Sequence, residues 1–163
     1  MPATQINRLL LALLFVMISP MSEAQTWATA TSSNATQGTR ILYRFVMAFH
    51  PDFAPRSQPE RITITWPYHG QQRNGMPSAE EQIRMEELEE SLAAVEADGL
   101  ASLVLVSTGD NLKEWIYYTR SKERFGERLN LALRGKAVFP IQIHSAADPA
   151  WTTYHDFVDH LKK

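Results

Sequence analysis

The sequence predicts an α+β fold, an antiparallel sheet with helices packed on one face, and three observations carry that expectation. Apolar side chains recur at every second position over residues 41–49 and 62–66, the period of a half-buried strand. Met85, Leu88, Leu92 and Val95 recur at the spacing of one helical face. Residues 100–106 form a short unbroken apolar run, which suits a strand buried on both faces.

The first strand sets Ile41, Tyr43, Phe45, Met47 and Phe49 against Leu42, Arg44, Val46, Ala48 and His50, and His50-Pro51 ends it. Pro55 and Pro59 make residues 53–60 a loop, after which Ile62, Ile64 and Trp66 alternate with Thr63 and Thr65 until Pro67. A ten-residue loop with Gly70 and Gly75 leads to Ser78, and Glu81 three residues later completes a capping-box pattern for a helix. On that helix Glu86, Glu87, Glu89 and Glu90 are expected as the solvated side, with Gly99 as the stop. The run 100–106 turns at Thr108-Gly109-Asp110-Asn111 and returns as a hairpin partner over 114–119. Ser121 starts a second helix with Phe125, Leu129, Ala132 and Leu133 inward, and Gly135 ends it. Residues 138–144 read as the last strand. Asp148 then caps a final helix with Pro149 at its first position and Trp151, Tyr154, Val158 and Leu161 inward. From Ile62 the order is a ferredoxin-like βαββαβ core, with one added strand before it and one added helix after it.

Ahead of this domain, Arg8 precedes an apolar run from Leu9 to Ile18, and Ser22-Glu23-Ala24 supplies a small-x-small ending. The run stops at Ser19-Pro20, short of the roughly 20 residues that a membrane-spanning helix needs. Residues 1–24 therefore read as a signal peptide cleaved after Ala24, which places the protein in the periplasm or outside the cell with no membrane anchor. Residues 25–39 are rich in Ala, Ser, Thr, Asn and Gln and read as a flexible spacer, leaving 40–163 as a single domain.

Composition narrows the chemistry. The 163 residues hold no cysteine, which excludes a thiol nucleophile, a thiolate metal site and c-type haem attachment. Sixteen Lys and Arg against 18 Asp and Glu give a net charge of −2, without the basic excess typical of a nucleic-acid binder.

Several pieces of the C-terminal half form an ordered set: Thr108-Gly109, Glu114-Trp115-Ile116-Tyr117-Tyr118, Phe125 with Leu129-Asn130 and Leu133, Phe139-Pro140-Ile141, and Asp148-Pro149-x-Trp151-x-x-Tyr154. Asn74-Gly75-Met76-Pro77 precedes them, ahead of the Glu-rich helix. Over residues 40–161 this set resembles the bacterial family called domain of unknown function 695. The resemblance implies a ferredoxin-like fold, distantly similar to the regulator B of ribonuclease E activity, and no assigned catalytic role. The signal peptide departs from that regulator's cytoplasmic setting, so its role is not carried over. Asp148, Pro149, Trp151 and Tyr154 also have a plain structural reading, as a helix start and the residues that pack it.

The candidate ligand-binding residues are Tyr68, His69, Arg73 and Asn74, which deliver an aromatic ring, an imidazole and a guanidinium to a helix N-terminus that favours anions. Glu80 and Glu81 in the first turn offset that potential, and a polar connection with a turn at Asn74-Gly75 is the competing reading. His155 with Asp159, and Asp156 with His160, stand one helical turn apart, but two ligands fall short of a closed metal site. No dinucleotide, phosphate-loop or nucleophile-elbow pattern occurs, and no cofactor is expected. The sequence points to an exported, non-enzymatic domain that binds a small ligand, a peptide or an envelope protein. A hydrolase with His69 or His155 as base, and a nucleic-acid regulator by fold analogy, are the alternatives.

Overall fold

The computed structural model describes residues 24–34, 36, 38–70 and 74–161, so the expected leader up to residue 23 lies outside the described residues. Among them six strands pair into one sheet: β1 (Thr26–Asn34), β2 (Thr39–Ala48), β3 (Glu60–Pro67), β4 (Ala101–Gly109), β5 (Leu112–Thr119) and β6 (Gln142–Ala147). Their spatial order is β1-β2-β4-β5-β3-β6, and every neighbouring pair is antiparallel. The helices are α1 (Ala79–Leu92), α2 (Lys122–Ala132) and α3 (Thr152–Leu161).

Local chemistry sets the element ends. The Ser78 hydroxyl accepts from the Glu81 N–H while the Glu81 carboxylate accepts from the Ser78 N–H, so the capping box satisfies two otherwise orphaned donors of α1. Ser121 caps α2 in the same manner, accepting from the Arg124 N–H. Between β4 and β5, Asp110 and Asn111 both hold positive φ, the backbone of the two-residue turn whose twist matches a hairpin.

The sheet carries an apolar core on each side. On one face Ile62, Ile64, Trp66, Trp115 and Tyr117 pack against Met85, Leu88 and Leu92 of α1 and Phe125 and Leu129 of α2. On the other, Phe45, Val104, Leu105 and Tyr118 pack against Trp151 and Tyr154, with Phe157 and Val158 alongside. A β-bulge serves this division: the register jumps between Leu103 and Leu105, so Val104 enters the second core as an extra residue. Pairing of β2 with β4 runs from Ile41–Gly109 to Phe45–Leu105 and reaches no further than this bulge.

Four expectations are corrected. The helices do not share one face, because Ile116 and Tyr118 alternate with Trp115 and Tyr117 on β5, leaving two apolar surfaces, and α3 covers the second. Residues 26–34, expected within a flexible spacer, form β1 along the whole of β2, with Ala28 and Ala30 against the second core. Two strands, not one, therefore precede β3; alanine and threonine side chains are too small to announce the first. The last strand begins at Gln142, while Phe139 and Ile141 pack against the first core ahead of it. Leu161 is exposed, and Phe157 takes the inward position on α3.

Candidate ligand-binding cleft

The loop after β3 is tied to the β4–β5 turn. The Tyr68 N–H donates to the Asn111 carbonyl (2.9 Å), the Gly70 N–H to the Asn111 side-chain oxygen (2.8 Å), and the Asn111 N–H to the Gly75 carbonyl (3.0 Å). Gly70 is required here, since a methyl group on it would overlap the Met76 carbonyl and lie 2.8 Å from the Gly75 carbonyl carbon. Of the four candidate residues, Tyr68 is drawn into the core, its hydroxyl donating to the Gly75 carbonyl at 2.9 Å. Burial pushes its phenol up to about 12. His69 and Asn74 are exposed, Asn74 at a positive φ that suits the turn, and Arg73 lies outside the described residues. Tyr68 is thus separated from the two exposed members of the set.

The Asp148-Pro149-x-Trp151 segment is a clasp between α3 and the sheet. Trp151 is 1% exposed, donates its indole N–H to the Gln58 carbonyl (2.9 Å) and precedes the first turn of α3 at φ 56°. Asp148 accepts from the Thr152 and Thr153 N–H groups, and from the Tyr118 hydroxyl at 2.6 Å. Burial opposes its ionisation, but the bonds from Tyr118, Thr152 and Thr153 outweigh that and hold its carboxyl near 2. It caps the helix as expected, from four residues ahead of Thr152, which places Pro149 in the preceding turn and not in the helix.

On α3, the His160 Nδ1 lies 2.6 Å from the Asp156 carbonyl, and the His155 ring meets the edge of Tyr154. Among the described residues no three of the His, Asp and Glu side chains gather as a metal site.

A cleft of about 790 Å³ opens instead between α1 and the face formed by β1, β2 and β4. Thr29, Thr31, Leu42, Val106 and Thr108 line its sheet side, and Met76 and Pro77 of the loop line it as well. Gln82, Met85, Glu86, Glu89 and Glu90 of α1 form the facing wall. These α1 residues follow the i, i+3, i+4, i+7, i+8 pattern of a single helical stripe.

At its base, Glu89 accepts from Arg44 of β2 and from the Trp115 indole N–H of β5 (3.0 Å), and Lys113 Nζ stands 3.5 Å away. Lys113 also sits 4.9 Å over the Trp115 ring, and Arg44 sits 5.4 Å over Trp27. Burial works against the Glu89 charge, but the Trp115 and Arg44 hydrogen bonds and the Lys113 charge prevail and lower its pKa from the ordinary glutamate value. Lys113 is lowered from its ordinary value because burial outweighs its attraction to Glu89. Glu89 was therefore misplaced by the expectation of a solvated glutamate side. It lies next to the Met85–Leu88–Leu92 stripe, and Arg44 interrupts the pair Leu42 and Val46 on β2; these are the signals in the sequence that point to the cluster.

A protein-family model described as "Family of unknown function (DUF695)" matches residues 25–158 of the chain. No curated protein matches it.

Proposed function

Since the chain belongs to the DUF695 family of unknown function, we propose that it is an exported, non-enzymatic binding domain of the bacterial envelope that holds a small ligand in the cleft between α1 and the β1–β2–β4 face. The cleft itself carries the reading: its volume of about 790 Å³ lies within the roughly 300–1,000 Å³ of small-molecule sites, and it combines apolar walls with a few convergent charged groups. The leader pattern around Arg8 and Ala24 supports export. We read β3 to β6 with α1 and α2 as a ferredoxin-like unit, a reading supported by the sheet segment β4-β5-β3-β6 and its antiparallel pairing.

The alternatives draw less support. His69 is exposed in the loop and His155 on α3, so neither lines the cleft. The charge of −2 disfavours nucleic acid.

Two measurements test the proposal. A chemically mixed fragment library is screened by NMR against ¹⁵N-labelled protein, with binders expected to shift Leu42, Val106 and the Trp115 indole; shifts confined to other surfaces would refute the site. Fusion of residues 1–25 to a reporter active only after export is expected to give signal and a processed N-terminus at Gln25. A cytoplasmic, uncleaved product would end the envelope assignment.

A further inference from the structure

We infer that the outer face of the α1 and α2 pair is a docking surface for a second copy of this chain, in a twofold arrangement that lays the acidic α1 of each copy along the basic α2 of the other. Docking there does not require that the cleft bind anything.

The two helices cover the first core together and run in opposite directions. Arg128 of α2 donates to the Ala97 carbonyl and pairs with Asp98 at 3.0 Å, beyond the end of α1. Arg84, near the start of α1, donates to the Val138 carbonyl at 3.1 Å, beyond the end of α2.

Their outward charges are opposite. Glu80, Glu87 and Glu90 of α1 are exposed, and among the described residues none of them is in an ion pair. The other carboxylates of α1 are engaged elsewhere: Glu81 in the cap, Glu89 with Arg44, and Glu86 opposite Lys113. Its one cation, Arg84, is held by Val138 and lies over Trp66. On α2 and just after it, Arg124, Arg134 and Lys136 are exposed and likewise outside any ion pair among the described residues. Lys122 and Arg128 are matched by Glu60 and Asp98. Two acids stand among these bases, Glu127 and Glu123, and the Ser121 hydroxyl donates to Glu123. Lys136 borders the same groove as Glu87 and Glu90, so the two stripes meet along the line between the helices.

Large aliphatic side chains stand among these charges. Ile83 shares the i, i+4, i+7 stripe of Glu87 and Glu90 and is 59% exposed. Leu131, on the stripe of Arg124 and Glu127, is equally open, and Val138 is 90% exposed beside Ile83. Apolar groups within a charged rim are the composition of an interaction surface.

A face with both signs on antiparallel helices is complementary to itself. A twofold axis running between and parallel to the helices places α1 over the partner's α2, with the Ile83 and Val138 side chains of both copies around it. A partner of a single sign would be repelled by one helix or the other. The face is only two helices wide, so the dimer is weak, with a Kd on the order of 10–100 μM.

Sedimentation equilibrium at protein concentrations from about 10 μM to about 1 mM tests this. A monomer–dimer equilibrium is expected at low salt, weakened about tenfold or more at roughly 0.5 M salt. Ile83→Lys should abolish it. Glu87→Lys with Glu90→Lys, and separately Arg134→Glu with Lys136→Glu, should each weaken self-association about tenfold or more, because like charges then face each other. Mixed in equal amounts, these two double variants should pair with each other about as strongly as the parent does with itself. All of these positions are exposed, and only variants with unchanged circular dichroism are compared. A chain that stays monomeric throughout would overturn the inference. So would a dimer indifferent to salt or to the charge reversals, or a mixture of the double variants that fails to restore pairing.

Discussion

The ring of Trp151 lies parallel to that of Tyr118, with centroids 4.0 Å apart and planes 11° from coplanar. The same tyrosine donates its hydroxyl to Asp148, so one β5 side chain holds both ends of the turn that starts α3. Phe49 and Phe53 close over Trp151 edge-on, at 5.5 and 5.6 Å. The Asp-Pro-x-Trp signature is accordingly the anchor of a helix to a sheet.

Truncating that anchor should be costly. Trp151→Ala is expected to lose about 3–5 kcal/mol, the range for removing a large buried aromatic. Trp151→Phe should lose less, yet still leave the Gln58 carbonyl without its donor. Denaturant unfolding measures both, and a Trp151→Ala protein of unchanged stability would contradict the packing described.

Asp148 gives stability a defined pH dependence. Its folded pKa, about 2, lies below its ordinary value of 3.8, so the contribution is complete above about pH 4 and fades as pH falls toward 2. Allowing for solvent screening, the shift corresponds to roughly 1–2 kcal/mol. Stability curves of the parent and Asp148→Asn should therefore converge as pH drops through that window; curves that stay parallel would show that Asp148 does not titrate there.

Glu89→Gln leaves Arg44 and Lys113 facing each other without their shared anion. A loss of about 1–3 kcal/mol at neutral pH is expected for a pair that is partly buried. Because the folded Lys113 already binds its proton less tightly than the unfolded chain does, stability lost in the variant should return in part as pH rises through its lowered value. NMR titration of the Lys113 amine should find it more acidic in Glu89→Gln than in the parent.

Removing residues 26–34 should cost more than the few degrees of melting midpoint that correspond to about 1 kcal/mol in a domain of this size. The deletion strips the hydrogen bonds of β2 from Thr39 to Ala48 and uncovers the core beside Ala28 and Ala30. A calorimetric midpoint within those few degrees would mean that β1 is dispensable.

How much of this was legible follows from where each signal resides. The Ser78 capping box, the Asp110-Asn111 turn and the inward faces of α1 and α2 depend on residues within a few positions of one another, and the sequence displays them. Strand β1 was hidden because Ala28 and Ala30 pack on the core with side chains too small to make a hydrophobic pattern. The second core was foreshadowed by the unbroken apolar stretch Trp115 to Tyr118, which cannot bury both its faces under helices on one side. Arg44, Glu89 and Lys113 come from β2, α1 and β5, so only the fold brings them together.

The bulge at Val104 has a kinetic consequence. Where it sits, β2 parts from β4, so the β1–β2 hairpin hangs from the rest of the sheet through the five residue pairs between Ile41–Gly109 and Phe45–Leu105. Such a ribbon can open as a unit of its own, below the free energy of global unfolding. Amide protons of β1 and β2 should then exchange with solvent well before those of β3 and β5, and each opening would widen the mouth of the cleft as the Arg44–Glu89 pair to α1 and the Tyr154–Val46 hydrogen bond to α3 part.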